Sequence, residues 1–408
     1  MGNRQWAGAG RVASIDVLRA IIMTLMIFVN DLPWSKNFPH WLEHAHPGED
    51  MLGLADIVFP AFLFIVGMSI PFAFENRKAK GDGDGKIFLH ILVRSFSLIT
   101  IGVLIANRRL INAEMTGYDI NVYSLIIMAA FFLIWNIYPK KRISGEVGEE
   151  FKAMVYCKGN LMFTIFRWIG IITLVFIVLT FRSAGESVGY IKPSWGILGT
   201  IGWSYLFCAS AYLISRKNLL VVLGFCLLYY LLTILNTERV ISLNGHLLQV
   251  VAGSSVAYAF TISGVAASMI LRRIEQKNVF LVFGGVGLGA ILLGLLSHNF
   301  WIISKIAGTP GWMFLCIGIS TLLFLAVYFV VDVHGKEKWF NIIKPAGTAT
   351  LTCYMLPYIY YSIRNMTGPF LPDPLYDGPL GVIKCIAFAF FIIGMTALLG
   401  RLGVKLKL

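Results

Sequence analysis

Three of the chain's seven histidines, His40, His44 and His46, share one loop with Glu43, Glu49 and Asp50, just after Asn30 and Asp31 and just before Asp56. Imidazole titrates near neutrality, so a histidine held beside a carboxylate is equipped to take a proton and return it. A side-chain amide such as that of Asn30 can donate to an oxygen that gains negative charge. A base and an amide donor over one carbonyl make up the equipment of acyl transfer. The plain alternative is a solvated loop with an accidental histidine cluster, and for any one of these histidines alone that alternative is the better one. The set beside Asn30 and Asp56 reverses the preference, because a link between two apolar segments needs only a short polar turn.

The elements that must position this loop are legible in the composition. With 57% hydrophobic and 13% charged residues, and a mean hydropathy of +0.76, the 408 residues cannot present enough polar surface for a soluble globule. The expectation is an all-α polytopic membrane bundle forming one integral membrane domain over 1–408. Apolar stretches of spanning length lie at about 13–30, 53–75, 87–106, 121–138, 161–181, 196–215, 219–236, 247–271, 279–297, 311–331, 346–363 and 379–400. None alternates as barrel strands would. The first run carries Asp16 and Arg19 and lacks a small-residue cleavage pattern, so it reads as a retained first span.

The net charge of +13 is better explained by cation bias across a membrane than by nucleic acid. With a cytoplasmic N-terminus, 22 of the 34 Lys and Arg fall in inner segments, eight in outer loops and four within or at the edges of spans. Both termini are then cytoplasmic and the histidine loop faces outward. Five cysteines lie in apolar stretches and Cys157 stands alone in what reads as a loop. The spacing indicates neither disulfides nor a metal centre.

Of the four cations in spans, Arg19 has Asp16 three residues earlier on the same helical face. Arg94 has no acid near it in sequence and should point toward a carboxylate or an anionic ligand. Arg167 and Lys384 can reach the interface and require nothing more. Asp56 sits at the positive end of the second span's helix dipole, where a carboxylate is stable without a partner. Pro60 and Pro71 interrupt that span's hydrogen bonding, and Gly67 with Ser69 permits a close helix neighbour. The GDGDGK run at 81–86 reads as an inner turn, without the context of a phosphate loop. Lys305, Thr309 and Trp312 stand at an outer entry to the tenth span, and Asp332 stands at its inner edge.

The blocks RVASIDVLRA, MIFVND, LEHAHPGED with LADIVFPAFLFIVGMSI, VRSFSLITIGVLIAN, GWSYLFCASAYL, ISKIAGTPGW, YFVVDVHGKEKW and PAGTATLTCY resemble, in this order, those of the transmembrane acyltransferases typified by lysosomal heparan-α-glucosaminide N-acetyltransferase and its bacterial relatives. The resemblance covers most of the chain and is most specific in the first hundred residues. It implies acetyl transfer from cytoplasmic acetyl-CoA, without a metal, to the amine of a terminal glucosamine across the membrane, here a bacterial inner membrane. The implied catalytic pair falls on Asn30 and either His44 or His46. An ungapped count back from LADIVFP lands on His46, but WLEHA matches on both sides of His44, which is therefore taken as the catalytic histidine. Asp56, His46, Asp16 and Arg19 are the supporting residues. Arg94, Lys305 and Asp332 are the candidates for substrate or donor contact. A stretch from about 108 to 195 reads as an insertion of two spans, and a later outer loop is cut to TERVISLNGH, so the acceptor can differ.

The expected partners are acyl-CoA, an amino-sugar or oligosaccharide acceptor and the lipid bilayer, with no nucleic acid; a homodimer is neither required nor excluded. The main rival class is a transporter or channel, in which Asp16, Arg19, Asp56 and Arg94 line a charge pathway. No internal repeat supports it. A scaffold or lipid-binding protein leaves the loop chemistry unexplained. Transfer or hydrolysis of acyl-CoA by the native chain and by His44→Ala separates these classes.

Overall fold

The computed structural model describes residues 12–138, 149–183, 189–192, 194–240, 254–368 and 371–408. In chain order its longer helices are α1 (Ala13–Asp31), α2 (Leu54–Ala79), α3 (Asp84–Asn107), α4 (Ile120–Trp135), α5 (Glu149–Thr180) and α6 (Gly196–Ser215). They continue as α7 (Leu219–Thr237), α8 (Ser255–Leu271), α9 (Val279–His298), α10 (Pro310–Tyr328), α11 (Thr350–Thr367) and α12 (Gly378–Arg401). A helix satisfies its own backbone, which is why long apolar runs destined for lipid take this form. Among the described residues, nine helices are long and apolar enough to cross a membrane; α4 and α8 are apolar but shorter. The protein is an integral membrane protein, and the expected count of twelve spans is finer than these lengths establish.

Several boundaries differ from the sequence reading. Helix α5 begins at Glu149, so Cys157 lies on a helix rather than in a loop. Helix α3 begins at Asp84, inside the run read as a turn. The small-residue entry to the eleventh span is split into a short helix, Lys344–Thr348, and α11. Residues 247–253 of the expected eighth span, the basic run at 140–142, Arg4 and Arg11 lie outside the described residues.

The chain packs as two compact units. The first holds residues 1–99, 200–348 and 373–390. Its centre is α2, which runs unbroken past Pro60 and Pro71 and packs on α8, α1 and α10; α9 pairs with α10 and α7 with α8. The α2–α8 contact is backbone to backbone. A Cβ on Gly67 would stand 1.8 Å from the Thr261 carbonyl oxygen, and one on Gly264 would stand 1.9 Å from that of Phe64. Only glycine fits either position, the small-residue route to close packing where lipid supplies no hydrophobic drive between helices. Leu220 and Leu281 are 76% and 79% exposed. Such faces suit hydrocarbon and not water.

The second unit holds residues 100–199, 349–372 and 391–408, and so includes all of the stretch read as an insertion. Within it α4 packs on α5 and α11. Tyr123, fully buried, donates to the Leu104 carbonyl at 2.9 Å. The final residues are tied down by backbone bonds, Leu406 N–H to Thr352 Oγ1 at 3.0 Å and Lys407 N–H to the Trp135 carbonyl at 3.0 Å.

Candidate active site

The site is built on the first turn of α2. Gly53 precedes it because the loop crosses there at contact distance: a Cβ would lie 2.0 Å from the Glu43 carbonyl oxygen. Asp56, three residues on, turns its carboxylate back to the Gly53 N–H at 3.3 Å, which satisfies one of the free donors at the helix start. The same carboxylate accepts the Ala45 N–H at 3.0 Å and meets His44 Nδ1 at 2.7 Å. Asp56 is 1% exposed and the His44 side chain 46% exposed. The carboxylate that the helix dipole alone could stabilise has three partners in the loop and at the helix start.

The Asp56 main chain is held as firmly as its side chain. Its carbonyl would bond the residue four positions on, but that residue is Pro60, which has no N–H. Trp312 Nε1 at 3.2 Å and Cys316 Sγ at 3.8 Å, both on α10, donate to it instead. An orphaned backbone acceptor in the interior is thereby satisfied, and α10 is fixed to the site. Trp312 itself is buried against Phe260, with ring centroids 5.1 Å apart.

Because Asp56 only accepts, the hydrogen-bond network assigns the proton of neutral His44 to Nδ1. Nε2 then carries the lone pair and bonds to no described residue. This is the orientation a general base requires. Lys305 Nζ lies 3.0 Å from His44 Nδ1 and 3.5 Å from Asp56 Oδ1. Nδ1 cannot accept a proton while donating its own, so Lys305 serves as the positive charge opposite Asp56. Burial draws the Lys305 ammonium below the usual lysine range, and Asp56 opposes that shift.

Lys305 reaches the site because its loop is tied to the histidine loop. Asp50 accepts from His298 Nε2 at 2.6 Å and from the Ile303 N–H at 2.8 Å, while the Met51 N–H donates to the Ile303 carbonyl at 3.2 Å. The bond from His298 holds Asp50 below the usual carboxylate range. His298 was not singled out from the sequence, and nothing in its spacing pairs it with Asp50.

His46 is placed differently from His44. Its ring stacks on His40 at 5.6 Å between centroids, and its backbone N–H donates to Glu49 at 2.7 Å. His40 bridges Glu43 through Nδ1 at 2.5 Å and Glu49 through Nε2 at 2.6 Å. Those bonds, Glu49's first, raise the His40 pKa, and Glu49 is lowered by the same contact. Ligand atoms of His40, Glu43 and His46 lie within 4.8 Å of one another, the set among the described residues that a metal ion could use. Both nitrogens of His40 are already engaged, so the group stands as a self-satisfied ion-pair cluster.

Asn30 lies exposed on the last turn of α1, and its carboxamide bonds to no described residue. No hydrogen bond joins it to His44. Beside it Asp31 is buried and accepts from Lys384 Nζ at 2.8 Å, with side chains 3% and 11% exposed. Lys384 was expected to reach the interface. The unforeseen carboxylate holds it inside, since a buried cation needs a counter-charge.

The remaining candidates lie elsewhere. Arg19 donates to Asp16 at 2.9 Å and to Ser69 at 2.6 Å, and Asp332 accepts the Ser14 N–H at 3.1 Å. These residues gather at the start of α1, roughly 20 Å of helix from Asn30 at 1.5 Å per residue. They cannot touch the same reacting atoms. Of the two partners expected for Arg94, a carboxylate or an anionic ligand, no carboxylate pairs with it among the described residues. Its guanidinium lies 4.5 Å from the Tyr205 ring centroid, and its buried Nε has no partner. Arg94 does not orient Asp56, whose side-chain partners are His44, Ala45, Gly53 and Lys305.

Residues 11–262 match the model of a family described as a domain of unknown function, DUF5009. That range contains Asn30, the histidine loop and Arg94 and excludes Lys305. The chain is similar to heparan-alpha-glucosaminide N-acetyltransferase of Mus musculus, with 26% identity over 358 residues, 81% of this chain and 50% of the relative. It is 36% identical to the Homo sapiens protein of that name over 97 residues, 24% of this chain and 14% of the relative. The chain thus spans at most half the length of these relatives.

Proposed function

This chain belongs to the DUF5009 family, and from that membership, its similarity to the N-acetyltransferases and the geometry at His44 we propose that it is a membrane-embedded acetyltransferase. The donor in this reading is acetyl-CoA from the cytoplasm. The acceptor is an amino sugar of the terminal-glucosamine type on the outer side of a bacterial inner membrane. The observation that carries the reading is the His44–Asp56 pair, in which a buried carboxylate accepts the hydrogen bond from Nδ1–H and leaves Nε2 open.

His44 Nε2 accepts a proton from the acceptor amine as its nitrogen bonds the thioester carbon. The carbonyl electron pair moves to oxygen, where the free carboxamide of Asn30 donates to it. Collapse of the tetrahedral centre breaks the carbon–sulfur bond, and the CoA thiolate takes the proton from His44. The products are the N-acetyl sugar and CoA, with His44 regenerated. Asp56 stabilises the imidazolium formed midway, and Lys305 balances the Asp56 charge. The alternative His46 has no carboxylate on its ring and is not assigned this step. Arg94, with its unsatisfied Nε, is assigned to the donor's path, and the reaction needs no metal.

The test is CoA release from acetyl-CoA by purified protein, with and without glucosamine, for the native chain and for His44→Ala and His46→Ala. Loss of a general base lowers rate by about 10²–10⁴-fold, and that loss is expected in His44→Ala alone. Solute flux without acetyl-CoA consumption would favour the transporter reading. A labelled acetyl group on His44 in the absence of acceptor would replace direct transfer by a two-step route.

A further inference from the structure

Arg108 and Arg109 directly follow α3 and line a cavity of about 290 Å³ in the second unit. Its walls include Gly102 and Gly196, and Tyr354 with Tyr358 one turn later on α11. At Gly102 two backbones meet: a Cβ there would stand 2.2 Å from Gly199 N. Gly196 has a φ of +57°, which an L side chain rarely adopts. Main chain therefore forms part of the cavity, and no side chain fills it. The Tyr354 and Tyr358 hydroxyls lie 3.0 Å apart, and the Arg108 guanidinium lies 4.7 Å from the Tyr358 ring centroid.

The charge here is unbalanced. No acidic residue lines the cavity, and neither arginine forms an ion pair or hydrogen bond with a described residue. A guanidinium stays charged and offers five donors in a planar fork. A tyrosine face attracts that charge but satisfies none of the donors. Two neighbouring cations that share a half-buried cavity also repel each other. An oxyanion relieves the repulsion and fills the donors, and the tyrosine hydroxyls can donate to its remaining oxygens.

We propose that this cavity is an oxyanion-binding site, in which Arg108 and Arg109 hold the carboxylate, sulfate or phosphate of a small solute or of an anionic lipid head group. Its volume is at the lower end of ligand pockets, which begin at roughly 300 Å³. That suits a single sugar acid or one head group and not a whole nucleotide cofactor. The site does not depend on the acetyltransferase reading.

The experiment has two arms on the full-length protein. In neutral detergent, D-glucuronate and inorganic sulfate are titrated separately by calorimetry. In mixed-lipid nanodiscs, retention of phosphatidylglycerol over phosphatidylcholine is read by native mass spectrometry. Saturable binding is expected in at least one arm, which identifies the source. Charge-assisted pairs support a loss of roughly tenfold or more in Arg108→Gln, with a smaller loss in Arg108→Lys, which keeps the charge but not the fork. Arg109 is exposed, so Arg109→Gln carries the test if Arg108→Gln does not survive purification. No saturable binding in either arm, or binding unchanged in every arginine variant recovered, overturns the proposal.

Discussion

Asp56→Asn separates a catalytic dyad from an ordinary loop anchor, because the change keeps the shape of the side chain and alters only what it can accept. The carboxylate serves His44 at 2.7 Å, Ala45 at 3.0 Å and Gly53 at 3.3 Å, with Lys305 at 3.5 Å. An asparagine offers one acceptor oxygen and one donating amide. With its oxygen on the Ala45 and Gly53 N–H groups, its NH₂ faces His44 Nδ1 and can be accepted only if that nitrogen is unprotonated. The imidazole then carries its proton on Nε2, and the base is lost although the ring has not moved. Wrong-tautomer substitution of this kind lowers kcat about 10⁴-fold in serine-protease triads. The expected loss here is about 10²–10⁴-fold, the range for a general base. KM for acetyl-CoA should change little, since the Asp56 carboxylate is fully occupied by His44, Ala45, Gly53 and Lys305. The assay is glucosamine-dependent CoA release in proteoliposomes for Asp56→Asn, His44→Ala and the double variant. Residues that act as one unit are not additive, so the double variant should be no worse than His44→Ala. An Asp56→Asn enzyme within about threefold of native kcat, or a double variant whose loss is the product of the singles, would refute the dyad.

Three further outcomes follow from contacts elsewhere. His40 is raised above its ordinary 6.5, so its contribution to loop order is complete below that value and is lost as pH rises through the folded pKa; Glu49 is lowered below 4.5, so its contribution is present above that value and lost as pH falls through the folded pKa. Hydrogen-exchange protection across residues 40–50, taken relative to the intrinsic rate at each pH, should be greatest between about pH 4.5 and 6.5 and should lose that optimum in Glu49→Gln. Gly67→Ala drives a methyl to 1.8 Å from the Thr261 carbonyl and should cost at least about 1–3 kcal/mol as overpacking, read as a lower melting temperature; Gly289→Ala, with nothing within 4 Å, should leave it unchanged. Lys384→Ala removes the counter-charge of buried Asp31 and should cost about 3–5 kcal/mol, whereas Lys384→Met with Asp31→Leu should recover most of that stability; equal melting temperatures for the two variants would show that the pair does not carry the packing.

Helix positions were the most legible feature of the chain. Each apolar stretch marked in the sequence is mostly helical where it is described, because a run that must satisfy its own backbone away from water has little other choice. The local half of the candidate site was legible for a related reason. Asn30, His44 and Asp56 fall within 27 residues around the first loop, and their polarity stands out against apolar neighbours. Partners were not legible. Lys305 meets His44 from 261 positions away, and Lys384 meets Asp31 from 353. Nor was it legible that the Asp56 carboxylate reaches the ring of His44 and not that of His46, two residues on. In hydrocarbon one apolar helix resembles another, so hydropathy places spans without saying which pack together. Pairing is decided by close approach at Gly67 and Gly264, by the donors that Trp312 and Cys316 lend to a carbonyl left open by Pro60, and by buried charges that must find opposite charge wherever in the chain it lies.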